Sequence, residues 1–185
     1  MLAPPGAGKG TQGERIATRY QVPHIASGDI FRDEVARKTP LGQRLSGYLD
    51  AGDLVPDDLV LSVILDRVLA ASRDDGGFVL DGFPRTLAQA QAAAKIARDT
   101  GASAQAVVYL DAPAEVLIER LSGRVENRAD DTADVQRHRL EVYAQHTKPL
   151  IDYYTDRGIL ITIDATPVVD VVSQQIYAAL DALDN

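Results

Sequence analysis

At 185 residues, 45% of them hydrophobic, the chain fits one globular domain with a sizeable core, and its net charge of −8 excludes a general nucleic-acid binder, which would show a basic face. No run of about 18 apolar residues is available to span a membrane. The lack of Cys excludes disulfides and thiolate zinc sites, and with no room for a signal segment ahead of residue 3 the expected compartment is the cytosol.

In chain order, Met1 and Leu2 form only the stub of a first strand, and "GTQGERIATRY" (10–20) reads as a helix. "VPHIA" (22–26) is a weak strand. From Ser27 to Pro56 the helical patterns "DIFRDEVARK" and "LGQRLSGYLDAG" follow one another with no strand between them, which predicts a small helical insertion. "GFVLD" (77–81) is a strand, and "TLAQAQAAAKIARDTG" (86–101) is a helix closed by Gly101. "AVVYL" (106–110) is a strand, followed by the helix "PAEVLIERLSG" with Pro113 in its first turn. Apolar content collapses in "GRVENRADDTADVQRHR" (123–139), which predicts an exposed charged loop before a helix near "LEVYAQHTKPLIDYY". Tyr143, Tyr153 and Tyr154 fall in that helical pattern and read as core or interface residues and not as stacking platforms. The strand "ILITI" (159–163) precedes a closing amphipathic helix with Ile176, Leu180 and Leu183 on one stripe. Short β-branched runs alternating with helical stretches predict an α/β fold with a parallel sheet covered by helices.

The opening "MLAPPGAGKGTQ" carries the clearest chemistry. A Gly-rich turn between strand and helix lets successive N–H groups and the helix dipole cradle a phosphate. Gly6 and Gly8 let the backbone close around oxygens, Lys9 reaches the outer phosphates and Thr11 offers a hydroxyl near a Mg²⁺ ion. Two positions depart from the general G-x-x-x-x-G-K-[ST] template: Ala3 replaces the first Gly, and Gly10 stands where Ser or Thr is usual. If the turn at Ala3 needs a positive φ, its Cβ costs on the order of 1 kcal/mol. "VLDGFPRT" places Asp81 at the C-terminal end of a strand, where a carboxylate suits a Mg²⁺-bound water, and Arg85 just after it offers a planar fork for a phosphate oxygen. Arg32, Arg120, Arg124, Arg128, Arg137 and Arg139 supply the dispersed positive charge that phosphoryl transfer needs. Global acidity does not oppose this. A unit charge about 20 Å away contributes about 0.2 kcal/mol, against roughly 4 kcal/mol for one at about 4 Å. Asp130 and Asp131 could hold an arginine-bearing lid or cap a helix. His24, His138 and His146 show no ligand spacing, so no metal is assigned to them.

The ordered motifs "PPGAGKGTQ", "ASGDIFRDEV", "YLDAGDLVPDDLV", "GFVLDGFPRTLAQA", "ERLSGR" and "NRADDTADVQRHRLEVY" resemble those of adenylate kinase, in the nucleoside monophosphate kinase group, over essentially the whole chain. In that family a Gly follows the loop Lys, so Gly10 is expected. The resemblance implies reversible conversion of ATP and AMP to two ADP with Mg²⁺ and no zinc, by a cytoplasmic monomer whose partners are nucleotides. It implies a P-loop NTPase-like, five-stranded parallel sheet, its first strand here truncated. The core would comprise residues 1–26, 57–121 and 140–185, with an AMP-binding insertion at 27–56 and a short lid at 122–139. By the same resemblance Gly6, Ala7, Gly8, Lys9, Gly10 and Thr11 would hold ATP phosphates, Arg120 would stack on the ATP base and Arg124 would meet its phosphate. The Pro167 carbonyl would meet the ATP adenine, in a loop where Ala165 and Pro167 depart from the usual "DGT" pattern. Ser27, Arg32, Asp53, Leu54, Val55, Gly82, Phe83, Pro84, Arg85 and Gln89 would form the AMP site, joined by Arg128 and Arg139 from the lid side. Lys9, Arg85, Arg124, Arg128 and Arg139 would carry catalysis, with Thr11 and Asp81 near Mg²⁺. Two alternatives stand beside this reading: a UMP or CMP kinase, distinguished by the base-reading Gln89, and a nucleotide-binding protein left inactive by a missing first strand.

Overall fold

The structure, a computed structural model, describes residues 1–123 and 132–184. Its strands are β1 His24–Ala26, β2 Val79–Asp81, β3 Val107–Asp111 and β4 Leu160–Asp164, all paired in parallel. β1 pairs with β2, and β3 pairs with β4, as two separate ladders. Met1 and Leu2 lie between them. The Met1 nitrogen donates to the Leu80 carbonyl (2.8 Å), the Leu2 amide donates to Val108 (2.8 Å) and the Leu2 carbonyl accepts from Leu110 (2.9 Å). The expected five-stranded sheet is therefore, among the described residues, two strand pairs linked by a two-residue bridge, which is too short for a ladder of its own. That bridge is nonetheless core, since Leu2 is buried.

Side chains of β3 alternate between two covered faces, as a strand's period of two dictates. Val108 and Leu110 join Ile16, Leu117, Val172 and Ile176 on the side of helices α1 (Lys9–Tyr20), α6 (Ala114–Ser122) and α9 (Val169–Asp181). Val107 and Tyr109 join Leu2, Ala90 and Leu150 on the side of α5 (Leu87–Thr100) and α8 (Leu150–Thr155). A third apolar cluster gathers Phe31, Leu45, Leu59, Ile64 and Phe83 from α2 (Ser27–Ala36), α3 (Pro40–Ala51), α4 (Asp57–Asp74) and the loop after β2.

Helices α2 and α3 bear out the predicted pair, and they cross closely because Gly42 has no side chain. A Cβ there would press on the Glu34 backbone and come within 2.7 Å of the Val35 nitrogen. Backbone cannot swing aside, so Gly42→Ala is expected to destabilise by about 1–3 kcal/mol, lowering Tm by roughly 2–4 °C per kcal/mol. Thermal unfolding followed by circular dichroism checks this, and an unchanged Tm would mean the crossing can open at no cost.

Two sequence expectations are corrected here, and one helix has no counterpart among them. Residues 133–139 are not loop but part of helix α7 (Ala133–Val142), capped by the Thr132 hydroxyl, which accepts from the Val135 amide. None of its residues is buried, so no apolar period marks it. The longest helix, α4, has near-continuous apolar residues and no strong stripe, and so carried no helical signature. Leu183 leaves the closing stripe: Ile176 is fully enclosed, whereas Leu183 is exposed in a terminal 3₁₀ turn.

Candidate active site

Helix α1 starts without a side-chain cap and without an acidic residue in its first turn, so its leading N–H groups and dipole are open to an anion. The loop before it turns through two left-handed glycines, Gly6 (φ 88°) and Gly8 (φ 87°). Gly6 is obligatory twice over, because a Cβ there would also sit 2.8 Å from the Leu117 carbonyl of α6. Ala3 is not among the described residues with positive φ and is packed in the core, so the expected turn strain does not arise.

The loop forms one wall of a cleft of about 850 Å³. Lys9, at the first position of α1, pairs there with Asp81 at the end of β2, 72 residues away. Burial pushes the Lys9 pKa down, partly offset by the Asp81 charge. Burial alone would raise the Asp81 carboxyl, but the Lys9 charge and hydrogen bond, the contact with His24 and the N-terminal ammonium together outweigh it and hold that group well below the usual carboxylate range. The second Asp81 oxygen, Oδ2, faces inward, 3.6 Å from His24 Nε2 and near Gly10. Thr11 is exposed on the same wall. Two oxygen donors beside a phosphate cradle fit Mg²⁺, which keeps most of its shell as water and substrate oxygens. No cluster of three or more His, Cys, Asp or Glu placed to hold a metal occurs among the described residues.

Another part of the cleft lining is cationic. Arg32, Arg85 and Arg139 belong to it, and they come from α2, the loop after β2, and α7. Arg85 is held in place from three directions. Its Nε donates to the Gly82 carbonyl (2.8 Å), its amide to Gln89 Oε1 (2.7 Å), and its carbonyl accepts from the Thr147 hydroxyl (2.9 Å). Burial pushes its pKa down, the Asp81 charge opposes that, and the nearby positive charges of Arg139 and Arg32 add to the lowering. Guanidinium groups gathered in this way can receive the oxygens of a phosphate. Arg32 also pairs with Asp29 one turn earlier on α2.

Arg139 reaches the cleft because α7 lies against the end of α3. A Cβ on Gly52 would meet Val135 at 3.0 Å and Arg139 at 3.1 Å, and next to it His138 Nε2 lies 2.6 Å from Asp53 Oδ1. Asp53, Leu54, Val55, Gly82, Pro84 and Gln89 line the cleft, as do Gly6, Gly8, Gly10 and Arg120. The remaining predicted residues are placed differently. Ala7, Ser27 and Phe83 are buried behind the lining, with the Ser27 hydroxyl beneath Gly82 and without a hydrogen-bond partner among the described residues. Arg120 reaches the loop before α9, donating to the carbonyls of Ala165 (2.7 Å), Thr166 (3.0 Å) and Pro167 (3.3 Å). Arg124, Arg128, Asp130 and Asp131 lie outside the described residues.

Three contributors carried no legible signal. Thr147 supports Arg85 from a π-helical turn, Tyr143–Thr147, and π-turns recur at functional sites. Asp57 bonds Gln89, and His24 faces Asp81, but each is a lone polar residue in an ordinary setting.

The family model described as adenylate kinase matches residues 1–159. Adenylate kinase of Kocuria rhizophila is 44% identical over 185 aligned residues, covering 98% of this chain and 97% of the relative. That of Thermus thermophilus is 45% identical, covering 97% and 95%, and that of Clostridium tetani is 37% identical, covering 100% and 98%.

Proposed function

Because this chain belongs to the adenylate kinase family, we propose that its cleft performs the family's reaction, reversible phosphoryl transfer from ATP to AMP giving two ADP, with the glycine loop and the arginine cluster as donor and acceptor phosphate sites. The protein is a nucleoside monophosphate kinase, a phosphotransferase. The observation that carries this assignment is that one cleft is lined both by an uncapped helix start bearing Lys9 and by the Arg32, Arg85 and Arg139 cluster.

The backbone of Gly6–Thr11 binds the donor's phosphate oxygens, and Lys9 follows the transferred group. Arg85, with Arg32 and Arg139, holds the acceptor phosphate in line with it. The bond from the γ-phosphorus to the β-bridging oxygen breaks as a bond to the acceptor's phosphate oxygen forms. That oxygen is already anionic, so no side chain need remove a proton. Charge spread over the moving group is met by fixed cations, which is where most of the rate enhancement lies. Thr11 and Asp81 would hold Mg²⁺, directly or through water, and the ion when bound neutralises developing charge on the phosphate oxygens. Arg120 and the Pro167 carbonyl would frame the donor adenine, while Leu54, Val55 and Gln89 would frame the acceptor base. Arg124 and Arg128 would come from the lid side.

In this reading residues 1–26, 57–121 and 140–185 are the core, 27–56 the acceptor-binding insertion and 122–139 the lid. The protein acts as a cytoplasmic monomer on small nucleotides, without zinc. No described helix is long and apolar enough to cross a membrane.

The test is a panel of monophosphates assayed with ATP. AMP is expected to be the best acceptor, ADP alone to yield ATP and AMP, and excess chelator to suppress both reactions at least about 100-fold, restored by Mg²⁺. Faster turnover of UMP or CMP would reverse the acceptor assignment.

A further inference from the structure

The Gln89 amide is 2% exposed yet lines the cleft, and its two ends have different partners. Oε1 accepts from the Arg85 backbone N–H, and Nε2 donates to Asp57 Oδ1, both at 2.7 Å. Asp57 is the first residue of α4 and is separated from Gln89 by 32 positions, so only the packing of α4 against α5 brings them together. The partners settle which way round the amide sits. A backbone N–H can only donate and a carboxylate can only accept. Turning the amide over would set N–H against N–H, and oxygen against carboxylate, at a buried amide.

In this fixed orientation the amide keeps one N–H and one oxygen lone pair for a ligand. A 6-aminopurine offers the complement, an amino N–H and the N1 acceptor. A 6-oxopurine offers the reverse, an O6 acceptor and an N1–H donor, which would call for the overturned amide. We infer that Asp57, acting through Gln89, is the positioning residue that makes the acceptor pocket select 6-aminopurine over 6-oxopurine monophosphates. The inference rests on the assignment of Gln89 to the acceptor base. Asp57 itself touches no nucleotide.

Asparagine at 57 can turn its own amide to donate or to accept, so it removes one of the two bars to the overturned Gln89, leaving only that of the Arg85 N–H, without removing bulk. The experiment measures kcat/KM for AMP and for IMP, with ATP and Mg²⁺, in the wild type, Asp57→Asn and Asp58→Asn. In D57N, kcat/KM for IMP is expected to rise and the AMP-to-IMP ratio to fall about 10-fold, the size of one charged hydrogen bond. D58N removes a charge from the same helical turn and is expected to leave the ratio within twofold. A gain on IMP is something a merely loosened fold does not produce. Parallel loss on both acceptors, an unmoved ratio, or an equal shift in D58N would overturn the role of Asp57. A wild type that does not prefer AMP would instead overturn the acceptor assignment itself. Should D57N fail to fold, Asp57→Ser carries the same expectation, because its hydroxyl also donates or accepts.

Discussion

Replacing Lys9 with methionine is expected to lower phosphoryl transfer by about 10³-fold or more, because it removes the loop cation proposed to follow the moving group. The same change is also a stability mutation, which the sequence alone would not suggest. Asp81 Oδ1 is the partner of Lys9, and the Asp81 side chain is only 7% exposed. Losing one member of such a pair leaves a buried carboxylate uncompensated, and because the cleft admits water the expected loss is at the low end, about 2–3 kcal/mol. For a chain of this size that is roughly 6–10 °C in Tm.

The pH dependence has a definite sign. In the intact protein the Asp81 pKa is depressed, so its contribution is fully present above the unfolded value, about 4, and is lost as pH falls through the lower folded value. Without Lys9 its lowering influence is gone while burial still acts to raise the carboxyl pKa, so the group titrates higher than in the intact protein. The stability deficit of Lys9→Met is therefore largest at neutral pH and shrinks as pH falls. Thermal melts of both proteins at pH 5 and pH 7.5 measure this directly. A deficit independent of pH would mean that Asp81 finds another partner when Lys9 is gone.

The second large effect is expected from Arg85→Lys, a change that keeps the charge. Lysine cannot donate to the Gly82 carbonyl as Nε does while also presenting a planar fork to a phosphate. Its flexible stem would also be repelled by the charges of Arg32 and Arg139, which a pinned guanidinium is made to face. We expect kcat/KM for AMP to fall about 10²- to 10³-fold with ATP affinity changed by less than about threefold. Steady-state kinetics and titration calorimetry separate the two quantities. Equal losses on both nucleotides would place Arg85 between the sites instead of on the acceptor side.

How far the site could be read in advance follows from how its residues are spaced. The loop from Gly6 to Thr11 is contiguous, so its turn chemistry and its helix start are visible together. Asp81 is visible as a polar end to an apolar strand, but its pairing with Lys9 is not. Arg139 is visible as a charge, whereas its entry into the cleft depends on α7 resting on Gly52, and α7 has no apolar face to mark it as a helix at all. Gln89 was singled out by family resemblance. Its orientation depends on Asp57, a residue indistinguishable by pattern from its neighbour Asp58.

What the sequence by itself determined is local: alternating β-branched runs and helical periods that yield a parallel α/β chain, a glycine turn aimed at phosphate, and ordered motifs that place the chain in its family. Those are properties of residues a few positions apart, where sterics and periodicity act directly. The tertiary structure alone decided that Ala3 is packed and unstrained, that Met1 and Leu2 bridge two strand pairs, that three arginines share one cleft, and that the Gln89 amide is held one way round. Each of these joins positions distant in the chain, and several set like charges or buried polar groups together against their own preference. Only the packing of the whole core supplies the free energy to hold them there.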